Sequence, residues 1–114
     1  MQDANCIFCR IAAGQIPATL IHEDDHCIAF RDLSPQAPTH LLVVPREHVV
    51  SLADVTAWPL GSTLLAACAS VARAEGLVEG GYRVVTNVGR DGGQSVFHLH
   101  FHVLGGRPMA WPPG

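Results

Sequence analysis

Leu41-Leu42-Val43-Val44-Pro45 is an unbroken apolar run that begins directly after His40. An extended chain sends successive side chains to opposite faces. A run with nothing polar on either face therefore suits a strand buried on both sides. That strand needs neighbours, and the rest of the chain supplies them.

Asn5, an N-cap type, precedes Cys6 to Ala13, with apolar residues at 7, 8 and 11 and Gly14 at the end. This predicts a short helix. Ala18 to Glu23 and Cys27 to Arg31 read as strands about an Asp24-Asp25 turn. Asp32 to Pro38 is a connection stiffened by two prolines. From Pro59 to Leu77, Leu60, Leu64, Leu65, Cys68, Val71 and Ala72 recur at three and four, the spacing of one helix face. Tyr82 to Val88 reads as a strand, Gly89-Arg90-Asp91-Gly92-Gly93 as a loop, and Ser95 to Leu104 as the last strand. Strands and helices do not alternate, so the expected class is α+β with a largely antiparallel sheet, as one domain over residues 1–114.

The 114 residues carry a formal net charge of −3, and the sequence pI is about 6.1. That is no electrostatic footprint for nucleic acid. No window approaches the ~18 apolar residues of a membrane span. The N-terminus lacks a signal-peptide layout, so a cytoplasmic chain with no membrane partner is expected. Hydrophobic residues make up 48% of the chain and charged residues 15%. That balance hints at a further buried face and self-association. Cys27 and Cys68 fall in apolar stretches and read as small core residues. His22 and His26 flank a turn and read as solvated.

Phe97-His98-Leu99-His100-Phe101-His102-Val103 holds the densest chemistry. On a strand, His98, His100 and His102 share one face, and Phe97, Leu99, Phe101 and Val103 share the other, which packs on the core. Three aligned imidazoles can hold a catalytic metal. Alternatively one ring is a nucleophile that its neighbours orient, since imidazole, with an unperturbed pKa of about 6.5, is largely neutral at pH 7. The glycine-rich loop before the row favours the second reading. Its backbone N–H groups at Gly93 or Gln94, with Asn87 and Ser95, would cradle a phosphate beside the nucleophile. Cys6-x-x-Cys9 has the spacing of half a zinc site, or is two small residues on a helix.

Asp91-Gly92-Gly93-Gln94-Ser95-Val96-Phe97-His98-Leu99-His100-Phe101-His102-Val103-Leu104-Gly105-Gly106 resembles the signature of the histidine triad (HIT) superfamily, most closely its Hint branch of purine nucleoside phosphoramidases. Ser34 to His40 and the ending Trp111-Pro112-Pro113-Gly114 are similar to Hint proteins as well. The resemblance implies a five-stranded antiparallel sheet with one short and one long helix, and sheets joined across a homodimer. It implies cleavage of adenosine 5′-phosphoramidates and acyl- or aminoacyl-adenylates to AMP through a nucleotidyl-histidine at His100. His102 and the main chain around Gly93, Gln94 and Ser95 would hold the phosphate, with Ser95 also near the leaving group. Asn87 would reach the phosphate or ribose, and Asp32 would accept from the ribose hydroxyls.

Ile7, Phe8, Ile11, Phe30 and Leu33 would form the base slot, His40 would orient the row, and Trp111 would reach the partner's site. Cys6, Cys9, His48 and His98 would bind a structural, non-catalytic zinc. No organic cofactor is implied. Arg31 and Arg90 fall near the implied nucleotide without an assigned role. The competing readings are an AMP-binding scaffold with little turnover, a metallohydrolase, and a dinucleoside polyphosphate hydrolase of the Fhit type.

Overall fold

The computed structural model describes residues 3–114. Helix α1 (Ile7–Ala12) is followed by strands β1 (Leu20–Glu23), β2 (Cys27–Arg31) and β3 (Thr39–Pro45). A 3-10 turn (Leu52–Asp54), helix α2 (Trp58–Ala74) and strands β4 (Tyr82–Val85) and β5 (Phe101–Gly105) complete the chain. All four pairings are antiparallel, in the order β1-β2-β3-β5-β4. The expected α+β architecture with a five-stranded sheet, one short helix and one long one is what forms.

β3 is central, and its residues from His40 to Pro45 are all buried. Leu41 and Val43 pack with Cys27, Ala29, Phe101 and Val103 against Leu64, Ala67, Cys68, Val71 and Ala72 of α2. Leu42 and Val44 turn the other way, onto Ile28, Phe30 and Phe8 of α1. The apolar run is therefore explained by a helix on each face. Burying each such side chain contributes roughly 1.5–3 kcal/mol. Cys27 and Cys68 are core residues, as expected. Leu65 is not, for its side chain is half exposed and Ala67 takes that place against the sheet.

Element ends follow local chemistry. Cys6, not Asn5, caps α1, its side chain accepting from the Cys9 N–H at 3.4 Å. α2 stops where Gly76 takes φ +73°, open to glycine, and the Leu77 N–H reaches back to the Ala72 carbonyl.

The largest departure from expectation is before β5. Ser95 to His100 are not a strand, because their polar groups are engaged elsewhere. The Leu99 N–H donates to the Val49 carbonyl at 2.6 Å, and Gln94 ties the preceding turn to Val50 and Val96. Without regular pleating the alternation fails at Phe97. It is 56% exposed instead of packing on the core, whereas Leu99, Phe101 and Val103 are buried. β4 likewise stops at Val85 rather than Val88, since Thr86 Oγ1 turns inward to donate to the His100 carbonyl at 2.8 Å. Among the described residues no helix is long and apolar enough to cross a membrane.

Candidate functional site

His40 shares the α1 side of β3 with Leu42 and Val44, and His102 lies opposite Leu42 on β5. His100 precedes β5 on the same side, its ring 5.1 Å from that of Phe8 and 5.1 Å from that of His102, each edge to face. His98 also meets Phe8, at 5.9 Å. All three rings of the triad thus lie on the α1 side. They do not form an even row, because His98 comes off irregular backbone and turns toward α1.

Backbone groups fix the proton on each ring. His100 Nδ1 is 2.7 Å from the His98 carbonyl, which can only accept. Nδ1 therefore donates, and the lone pair of His100 is left on Nε2. The Gln36 N–H donates to His40 Nδ1 at 3.0 Å, which puts the His40 proton on Nε2. That Nε2–H faces His102 Nδ1 at 2.8 Å, with Asp32 Oδ2 farther off at 3.4 Å. His102 accepts at Nδ1 and so carries its own proton on Nε2. A bare nitrogen on His100 stands beside an N–H donor on His102, which is the pairing needed to attack a phosphorus and to hold one of its oxygens.

Burial favours the uncharged rings. It pushes His102 down to about 4, helped by His100 and His40 and opposed by the Asp32 carboxylate. Burial also lowers His40, again against the pull of Asp32. His98 falls to about 4 by burial, partly offset by the Pro45 carbonyl.

His98 Nε2 donates to the Pro45 carbonyl at 2.8 Å, which leaves Nδ1 as a lone pair facing the cysteines. Cys6 Sγ lies 3.3 Å and Cys9 Sγ 3.5 Å from it, and His48 Nδ1 lies 3.2 Å from it and 3.3 Å from Cys9 Sγ. A tetrahedral ion with zinc-like bond lengths needs edges of about 3.3 Å between nitrogens and about 3.5 Å between nitrogen and sulfur. The four donors match that figure, so this cluster can hold a metal ion. Its neighbours account for all four positions of a tetrahedron and leave none for substrate.

Other expected residues fall into distinct settings. The Gln94 side chain is a buried clamp. Its Oε1 accepts from the Gly89 N–H, and its Nε2 donates to the Val50 and Val96 carbonyls. The Gly93 and Gln94 N–H groups are spent inside the turn, on the Arg90 and Gly89 carbonyls. Of the three N–H groups at 93, 94 and 95, that of Ser95 has no main-chain acceptor and is free to meet an anion.

Ser95 lines a cleft of about 540 Å³ with Cys6, Ile7, His48, Val50 and Phe97. The residues expected to form one base slot divide. Phe8, Phe30 and Ile11 pack together in the α1-side core, Ile7 lines the cleft, and Leu33 is 97% exposed on the connection after β2. Asp32 caps its own turn through Oδ1 to the Ser34 N–H. Asn87 is half-buried and follows Thr86, which is bonded to the His100 backbone.

Arg31 pairs with Glu75 at 2.8 Å, and Arg90 lies exposed against Asp91. His22 is not simply solvated, for it pairs with Asp24 at 2.8 Å, whereas His26 is exposed. Thr86, Gln36 and Pro45 were not foreseen. The last two act through main-chain atoms, which no side-chain pattern reveals.

The HIT domain family model matches residues 13–109. The chain belongs to the HIT family. A HIT-like protein of Synechococcus elongatus, itself uncharacterised, is 51% identical over 110 residues, covering 95% of this chain and 96% of that one. The crystal structure of a HIT family hydrolase from Legionella pneumophila superposes with a TM-score of 0.94 at 53% identity, covering 96% of this chain and all of that one. A histidine triad protein from Clostridium difficile gives 0.93 at 44% identity, over 96% of this chain and 97% of that one. The HIT fold and a hydrolase-like character follow for this HIT protein.

Proposed function

We propose that this HIT protein hydrolyses purine nucleoside 5′-phosphoramidates, and related acyl- or aminoacyl-adenylates, to the nucleoside monophosphate. The observation that carries the reading is the tautomer pair. His100 is locked with its lone pair on Nε2 by the His98 carbonyl, and His102 is locked with a proton on Nε2 through Gln36 and His40.

In the first step His100 Nε2 forms a bond to the α-phosphorus, and the phosphorus–nitrogen bond of the substrate breaks. The departing amine takes up a proton from water, and Ser95, which lines the cleft with Cys6 and His48, is assigned to the leaving-group side. His102 Nε2–H and the Ser95 N–H donate to the phosphoryl oxygens as charge builds there. Water then attacks phosphorus, the histidine–phosphorus bond breaks, and AMP leaves with His100 restored.

Asp32, 3.4 Å from His40, suits the ribose hydroxyls as a two-oxygen acceptor. In this reading Asn87 is assigned to the phosphate, and Ile7 and Leu33 offer exposed apolar surface to the base. The four-donor cluster supports zinc in a closed, structural role, which would anchor α1 to the strand ends and keep the His98 ring fixed. A homodimer joined at β4 is part of the same reading. β4 is an edge strand of the sheet, with Tyr82 and Val84 partly exposed, and Trp111, 83% exposed, would reach the partner's site.

Turnover of adenosine 5′-phosphoramidate by wild type and His100→Ala tests the proposal. The variant should lose at least ~10³-fold in turnover while AMP binding by calorimetry changes little. Near wild-type turnover in the variant would refute the reading.

A further inference from the structure

We propose that Cys6 and Cys9 form an oxidisable dithiol through which a peroxide disassembles the metal-ready cluster and releases the alignment of His100. The consequence for turnover rests on the hydrolase reading above; the thiol chemistry does not.

One residue joins the two sites. The His98 side chain sits 3.3 Å and 3.5 Å from the two sulfurs, while its own main-chain carbonyl holds His100 Nδ1 at 2.7 Å. Whatever frees the His98 ring also loosens the acceptor that sets the His100 tautomer. The two cysteines stand three residues apart at the first turn of α1, on one face of the helix. Their sulfurs lie within 4.8 Å of each other, so a short side-chain movement closes the ~2.05 Å disulfide bond.

Exposure makes the pair asymmetric. Cys6 is half-buried and lines the cleft of about 540 Å³, open to a small oxidant, whereas Cys9 is buried. Cys6 sulfur attacks a peroxide oxygen, and the oxygen–oxygen bond breaks. This leaves a sulfenic acid on Cys6, and the departing hydroxide takes a proton to become water. Cys9 sulfur then attacks Cys6 sulfur, the sulfur–sulfur bond forms, and the sulfur–oxygen bond breaks to release a second water. Two electrons pass from the two sulfurs to the peroxide. Neither sulfur can then serve as a thiolate ligand. Cys27 and Cys68 have no part in this, since both are buried in the α2-side core.

The test uses the full chain loaded with zinc and titrated with hydrogen peroxide. Expected are a Cys6–Cys9 disulfide by peptide mass spectrometry and release of one zinc per disulfide to a chromogenic chelator. The nitrogen NMR signals of His100 should lose the single Nδ1–H tautomer. Phosphoramidate turnover should fall about 10-fold or more, and thiol reductant with zinc should restore it. The double variant Cys27→Ala/Cys68→Ala should respond as wild type does. Cys6→His, which keeps four donors but cannot form the bond, should retain zinc under the same peroxide.

Cysteines 6 and 9 still reduced after oxidation would overturn the proposal. So would zinc retained alongside the disulfide, or an unchanged His100 spectrum once the disulfide has formed. A reduced, zinc-loaded chain that fails to turn over phosphoramidates defeats the hydrolase reading instead, and leaves the disulfide, zinc and NMR readouts to decide this one.

Discussion

Gln94→Ala separates a clamp from a ligand contact. The Gln94 side chain is buried and makes three hydrogen bonds, to the Gly89 N–H at 2.9 Å, the Val50 carbonyl at 2.7 Å and the Val96 carbonyl at 3.1 Å. Each such bond contributes about 1 kcal/mol net, and a buried partner left unmet costs more than that. Truncation should therefore remove about 3 kcal/mol, which for a domain of this size lowers Tm by roughly 10–15 °C.

Gln94→Glu keeps the acceptor for Gly89 but turns two donors into acceptors facing carbonyls, so it should lose at least as much. Calorimetric melting of the ligand-free protein reads the stability, and phosphoramidate kinetics read the site. A clamp predicts a large fall in Tm together with reduced kcat, as the turn carrying Ser95 loosens. Melting of free Gln94→Ala within about 2 °C of wild type, with a raised KM, would refute the clamp and point to a side-chain contact with the nucleotide.

Gly92→Ala should be severely destabilising, since a Cβ at position 92 would collide with the Val88 backbone, and thermal melting checks it. Zinc-free protein should gain stability as pH rises from about 4 to 6.5. His98 and His102 are held near 4 in the fold against 6.5 when unfolded, so in that window the unfolded chain binds more protons. The stability they withhold at low pH is complete above 6.5, and urea unfolding across pH 4 to 7 should show the rise; a flat profile would contradict it. Thr86→Val removes the hydroxyl that braces the His100 carbonyl and should lower kcat about 10-fold with little change in KM, as steady-state kinetics would show. Light scattering should give twice the chain mass, and a charge at Val84 on the β4 edge should shift the protein toward the protomer.

The fold was legible wherever periodicity and burial coincide. The apolar run at 41–45 became a central strand because a helix covers each face. The α2 pattern held apart from Leu65. Legibility ended at Ser95 to His100, where a strand-like alternation was overridden by main-chain and side-chain bonds to Val49, Val50 and Val96. The same override explains exposed Phe97 and the turn of His98 toward the cysteines. Within the site, the sequence names the imidazoles but not their protons. Those are set by the carbonyls of His98 and Pro45 and by the Gln36 N–H, main-chain groups carried by every residue type and so silent in the sequence.

Rapid acid quench of the protein during turnover of adenosine 5′-phosphoramidate, followed by peptide mapping, addresses the nucleophile itself. The structure predicts a nucleotidyl mass on the peptide spanning residues 91–107, localised by fragmentation to the His100 ring. The same mass on His98 or His102, or its absence while AMP is being released in a chelated and fully active sample, would contradict the account.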